Sequence, residues 1–229
     1  MKRTIVVCGH GPGISEAVAR KFGAEGHAVA LVARNAERVT AAAKGLADAG
    51  VRAQAFPCDL ADANAVTAMI GAVRGALGPI GVLHYNAYGG GAGDLTSASP
   101  AEVRAVFDIG VGGLVAAVQA SLPDLREGKG AVLVTGGGFA FYDPKVDAMA
   151  TQFNAMGLAM AKAAQHKAVG LLSQKLSPEG IYVGEVVVLG MVKGTAFDGG
   201  HATLEATDIA AKFWELAQAR KDLTVNFPG

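Results

Sequence analysis

An excess of charge of either sign is missing from this sequence. Twenty Lys and Arg stand against twenty Asp and Glu, so the formal net charge is zero. Without a basic field, binding to nucleic acid or to an anionic membrane surface is not expected, and any acidic ligand must be held by local groups. Cysteine is scarce as well. Cys8 and Cys58 alone make neither a disulfide framework nor a zinc site, so no metal is expected. Each follows a short β-like run, which suits buried free thiols in a reducing cytoplasm. Long apolar runs are also absent by inspection. The basic start "MKRTIVVCGHGPG" is interrupted by glycines too early for a signal peptide, and no stretch reads as a bilayer span. A soluble, cytoplasmic protein without a membrane partner is the expectation.

What is present is apolar surface: 51% of the 229 residues are hydrophobic and 17% charged, enough for a large core. Zero net charge with a positive mean hydropathy favours self-association.

Strand-like and helix-like patterns alternate from end to end. "TIVVC" (4–8), "AVALVA" (28–33), "RAQAFPC" (52–58), "GVLHYNA" (81–87), "GAVLVTG" (130–136), "IYVGEVVVL" (181–189) and "LTVNF" (223–227) read as strands. Apolar positions three and four apart predict helices over 14–26, 35–50 and about 61–77, 100–127, 148–176 and 206–219. Repeated β-α-β crossings predict a parallel sheet with right-handed crossovers and helices on both faces. No linker, repeat or low-complexity tract interrupts the pattern, so one domain over 1–229 is expected. The Gly-rich "YGGGAGD" (88–94) reads as a loop.

In such a sheet ligands bind beyond the carboxyl ends of the strands. At the first of these ends, "CGHGPGIS" places Gly9, Gly11 and Gly13 between a strand and a helix that starts at Ile14. Glycines there let the backbone approach a pyrophosphate, and the helix N-terminus supplies N–H donors and positive potential. The second end, "LVARN", carries Arg34 and Asn35 where an NAD site has an acid for the ribose diol. A guanidinium suits the 2′-phosphate of NADP(H). The third end offers Asp59 and Leu60, suited to an adenine amino group and face; Asp59 could instead cap the next helix.

These residues resemble the short-chain dehydrogenase/reductase family over nearly the whole chain. The family's Thr-Gly-x-x-x-Gly-x-Gly motif appears as Cys8-Gly9-His10-Gly11-Pro12-Gly13-Ile14-Ser15, and its Asp-Leu as Asp59-Leu60. Its Asn-Asn-Ala-Gly is half retained as Tyr85-Asn86-Ala87-Tyr88, and "LSPEGIYV" (176–183) resembles the run into the sixth strand. Its Pro-Gly after that strand appears as Leu189-Gly190. The resemblance implies a Rossmann-like, doubly wound, seven-stranded parallel sheet, a homodimer or homotetramer, and NAD(P)-linked oxidoreduction of a small-molecule substrate. Thr195 then matches the threonine that meets the nicotinamide carboxamide, and Lys162 the catalytic lysine of the Tyr-x-x-x-Lys motif, which also hydrogen-bonds the nicotinamide ribose. The tyrosine position falls on Leu158, the serine position on Gly136 and the helical asparagine position on Gly110.

A divergent NADPH-dependent reductase with a non-standard active site is therefore expected. The alternative is a catalytically silent NADP(H)-binding sensor or scaffold. Tyr142, in the long segment after the fifth strand, and Tyr88 are candidate replacements for the missing acid, with water as the third source. Phe139, Phe141, Phe153, Met191 and Phe197, with Tyr142, suggest an apolar substrate pocket. His84, inside a strand, reads as a hydrogen-bonded core residue.

Overall fold

The computed structural model describes residues 2–195 and 197–228. The alternation becomes β1 (Thr4–Cys8), α1 (Ile14–Ala24), β2 (Val29–Ala33), α2 (Ala36–Asp48), β3 (Ala53–Pro57), α3 (Ala63–Leu77) and β4 (Ile80–Tyr85). It continues with α4 (Pro100–Phe107), α5 (Gly113–Gly128), β5 (Ala131–Gly137), α6 (Pro144–Gln152), α7 (Met156–Leu176), β6 (Tyr182–Leu189), α8 (Ala206–Ala219) and β7 (Thr224–Pro228). All strand pairs are parallel, in the order β3-β2-β1-β4-β5-β6-β7. This is the expected seven-stranded Rossmann-like sheet.

The period-two geometry of a strand explains how the core divides. Val6 and Cys8 of β1 point into one apolar layer, against α3, α5 and α7, while Ile5 and Val7 point into the other, against α1, α2 and α8. In α1 the residues Ser15, Val18, Ala19 and Phe22 are buried, the i, i+3, i+4, i+7 stripe of a helix lying on a sheet. Polar side chains fix several helix starts: Asn35 caps α2, Asp62 caps α3, and Ser99 with Glu102 forms a capping box on α4 behind Pro100. Asp59 accepts from the Ala61 amide at 3.0 Å without capping α3.

Three readings of the sequence are corrected. The helix expected over 148–176 is two helices, α6 and α7. Between them Asn154 takes a left-handed φ of 51°, and the Met156 amide leaves the helical pattern to donate to Gly93 O at 3.2 Å. The helix expected over 100–127 contains a π-helical turn, Asp108–Gly112, whose Ile109 carbonyl accepts from the buried Tyr85 hydroxyl at 2.5 Å. Finally, the run Pro100–Gly128, 29 residues, is long and apolar enough to cross a membrane. In this fold it packs on α3 and β4, with 44% of its most apolar window buried.

β1 and β4 are neighbours, and the crossovers that start from them run in opposite directions across the sheet, from β1 to β2 and from β4 to β5. That switch point opens a crevice at the carboxyl ends of the strands.

Candidate active site

A cleft of about 1660 Å3 occupies the crevice. Drug-sized ligand sites run to roughly 300–1,000 Å3, so this one has room for a larger molecule or for two together. Of the residues expected to meet the cofactor, Gly9, Gly11, Ile14, Arg34, Asn35, Asp59, Leu60, Asn86, Ala87, Tyr88, Lys162 and Thr195 all line it. Gly13 lies behind the wall. Its φ is +91°, and a Cβ there would meet Thr195 Cγ2 at 2.6 Å, so the glycine lets the 195 loop close over the start of α1. Gly9, at φ +83°, presses on the end of β4, where a Cβ would stand 2.6 Å from the Ala87 backbone. A Cβ on Gly11 would meet nothing within 4 Å. No side chain caps α1, in contrast to α2 and α3, so its N-terminal amides face the cleft without a side-chain partner.

The outer end is basic. Arg34, between the end of β2 and the Asn35 cap, is joined by Arg38 in the first turn of α2. Arg38 is missed by the sequence reading; a second arginine just inside the helix that follows the second strand end is the signal that could have found it.

The inner end is built on α7. The Lys162 Nζ donates to Thr135 O at 2.7 Å and to Gln165 Oε1 at 2.9 Å. Gln165, nearly fully buried, passes the chain on by donating to Gly110 O in the π-helical turn at 2.7 Å. Gln165 is also missed by the sequence reading. Desolvation pulls the Lys162 ammonium down to about 8, while the charge of Glu185 acts in the opposite sense. His84 is a core residue: its Nε2 lies 3.2 Å from Thr135 Oγ1, its ring packs edge-on against Phe213 at 4.8 Å, and burial pushes it down to about 3.

Leu158 and Gly136 line the cleft beside Lys162, and neither side chain carries a hydroxyl. The apolar group foreseen from the sequence also gathers here. Phe139, Phe141, Phe153, Met191 and Phe197 all line the cleft, with Met149 and Val146 added from α6. Tyr88 leans on Phe197 with ring centroids 5.8 Å apart, and burial raises its phenol. Tyr142 does not join them: its side chain is fully solvent-exposed and lies outside the lining, because the chain turns outward at the Asp143 cap of α6. Thr195 lines the cleft, but its hydroxyl already donates to Val192 O at 2.7 Å. Cys8 and Cys58 are buried free thiols, as expected. No group of three or more His, Cys, Asp or Glu side chains is placed to hold a metal among the described residues.

A glycine turn and an uncapped helix at the switch point of a doubly wound parallel sheet are the parts of a dinucleotide-binding enzyme fold. This chain belongs to the short chain dehydrogenase family, whose pattern it matches over residues 3–203. It is 35% identical over 133 residues to meso-2,3-butanediol dehydrogenase of Serratia marcescens, a match covering 58% of this chain and 52%, about half, of that one. An uncharacterized oxidoreductase of Staphylococcus epidermidis is 26% identical over 213 residues, covering 91% of this chain and 88% of that one. Among solved structures, a short chain dehydrogenase from Burkholderia cenocepacia J2315 in complex with NADP superimposes with a TM-score of 0.86 and 27% identity. That match covers 99% of this chain and 96% of the other. A metagenomic short-chain oxidoreductase, also in complex with NADP, gives a TM-score of 0.82 at 25% identity, covering 99% and 97%.

Proposed function

We propose that this chain is an NADP(H)-dependent oxidoreductase acting on a small apolar substrate that carries an activated C=C, C=N or C=O bond. The observation that carries the reading is a single cleft running from the glycine turn and Arg34 through Lys162 to an aromatic end. The donor set fits the cofactor. Arg34 and Arg38 hold the 2′-phosphate, Asp59 and Leu60 the adenine, and the open Gly11 cradle with the α1 N-terminus the pyrophosphate. Lys162 holds the nicotinamide ribose, and the 195 loop closes over the nicotinamide end. When bound, the cofactor supplies the hydride.

The protein side of the chemistry is spare. Leu158 and Gly136 offer no hydroxyl to a carbonyl oxygen, so the chain favours substrates whose double bond is already polarised. The aromatic end positions the substrate and excludes bulk water. Tyr88, its phenol raised by burial, is a poor acid, and Tyr142 stands in solvent. With both tyrosines set aside, the proton is assigned to water at the cleft mouth, the third source weighed from the sequence. The assembly is a homodimer or homotetramer in a reducing cytoplasm.

Removing the anchor tests this reading. Lys162→Ala deletes a charged donor whose acceptors remain, a loss of roughly 1.5–3 kcal/mol. NADPH affinity, read by fluorescence titration, is expected to fall by about tenfold or more. Unchanged affinity contradicts the anchor role. The affinity of the unaltered protein carries a pH signature as well. A lysine with a depressed native value keeps its ammonium below about 8 and loses it above, so NADPH binding weakens as the pH rises through that value.

A further inference from the structure

Strand β6 buries a carboxylate to which the proposed function gives no part. Glu185 has no exposed surface. Its Oε2 accepts from His166 Nδ1 at 2.6 Å and, at 3.4 Å, from the Thr224 hydroxyl, while Oε1 has no hydrogen-bond partner among the described residues. A carboxylate taken from water loses several kcal/mol of solvation, so one kept in a sheet with a bare oxygen calls for a counter-charge.

His166 is the partner in contact with the carboxylate, and the surroundings of Oε1 lead to a second group, Lys162. A Cβ on Gly136 would stand 2.5 Å from Oε1 and 2.9 Å from the carboxyl carbon, so Glu185 fills the room that a side chain at 136 would need. Gly136 is part of the cleft wall, and its neighbour Thr135 gives its carbonyl to the Lys162 ammonium. Lys162 and His166 lie one turn apart on the face of α7 that meets β5 and β6. Lys162 thus stands in the cleft wall, with the histidine and the carboxylate packed behind it, outside the lining.

We propose that Glu185, gripped by His166, is a positioning residue whose fixed negative charge keeps Lys162 an ammonium, and that Gly136 is a glycine because this carboxylate occupies its side-chain space. The proposal rests on the reading of Lys162 as the ribose anchor.

The charge balance supports it. Burial lowers Lys162 to about 8, and Glu185 is the group that opposes the fall. The other titratable groups facing this patch are His84 from β4 and His166 from α7. His84, held down to about 3 by burial and by Lys162 itself, is neutral at working pH and adds no charge. Gln165 is a neutral partner. Once the carboxylate is neutralised, only the hydrogen bonds to Thr135 O and Gln165 Oε1 oppose the desolvation of the lysine, so its proton leaves at a lower pH.

The test follows the lysine side-chain NMR signals of the cofactor-free protein over about pH 6–11, with the Lys162 signal identified by its loss in Lys162→Arg. In Glu185→Gln the midpoint is expected to fall by about one pH unit, the lower end of the shift that a nearby opposite charge produces. In Glu185→Asp the charge stays on a shorter arm, and a smaller fall is expected; this variant carries the test should the glutamine variant not fold. A midpoint unmoved in the variants that fold overturns the proposal, whatever their melting temperatures, since a merely structural role alters stability without moving the lysine. NADPH titrations over the same range are expected to show the pH of affinity loss moving with the NMR midpoint. Because the NMR readout needs no cofactor, a shifted lysine in a protein that does not bind NADPH supports the charge pairing and discards the anchor reading alone.

Discussion

Leu158→Tyr is expected to raise the rate of NADPH-dependent reduction of simple ketones by about 100-fold. Leu158 lines the cleft and lies four residues before Lys162 on α7, so a phenol there shares the helix face of the ammonium. A neighbouring positive charge favours phenolate and makes the phenol a better acid than its free value of about 10 allows. General acid catalysis contributes roughly 10²–10⁴ in rate. The lower end applies here, because Gly136 still gives no hydroxyl to the carbonyl oxygen and Glu185 blocks a side chain at that position. The corollary is that the unaltered protein reduces simple ketones poorly. Steady-state rates on a panel of small ketones, with NADPH affinity measured alongside, check both statements. A variant that binds NADPH normally and gains no rate contradicts the assignment of position 158. Fast ketone reduction by the unaltered protein contradicts the account of its missing acid.

Removing the two arginines at the outer end is expected to abolish the preference for NADPH. Arg34 follows β2 directly, and the Arg38 amide is fixed by the Asn35 cap at 2.8 Å, so both guanidinium groups spring from a rigid strand-to-helix junction. A charged hydrogen bond contributes roughly 1.5–3 kcal/mol, or about tenfold to more than a hundredfold in affinity. Arg34→Ala should weaken NADPH by about tenfold and hardly change NADH, which lacks the 2′-phosphate. The Arg34→Ala, Arg38→Ala double variant should lose a further factor. Both side chains are exposed, so the loss should shrink at high ionic strength, where exposed charges are screened within roughly 3 Å at 1 M salt. Parallel titrations with NADPH and NADH at low and high salt measure the effect. An equal loss for both cofactors assigns the arginines to something other than the 2′-phosphate.

The parts of this fold governed by local pattern were legible in the sequence. Strand and helix periodicity gave the parallel sheet, and the glycines between β1 and α1 marked the cleft. Features decided by distant contacts were not legible. The break at Asn154 depends on Gly93, and the π-helical turn on the hydroxyl of Tyr85. Tyr142 looked equivalent to its aromatic neighbours until the Asp143 cap turned it outward. Gln165 and Glu185 were visible only as polar residues within apolar runs. Their meaning comes from Lys162, Gly110, His166 and Gly136, brought together by packing α7 on β5 and β6.

The central claim is that the cleft holds a phosphorylated dinucleotide, and the most direct test is a paired fluorescence titration of the unaltered protein with NADPH and NADH near neutral pH. The account predicts saturable NADPH binding at least about tenfold tighter than NADH, the difference expected from a charged contact to the 2′-phosphate. Equal affinity for the two, or binding of neither, contradicts it.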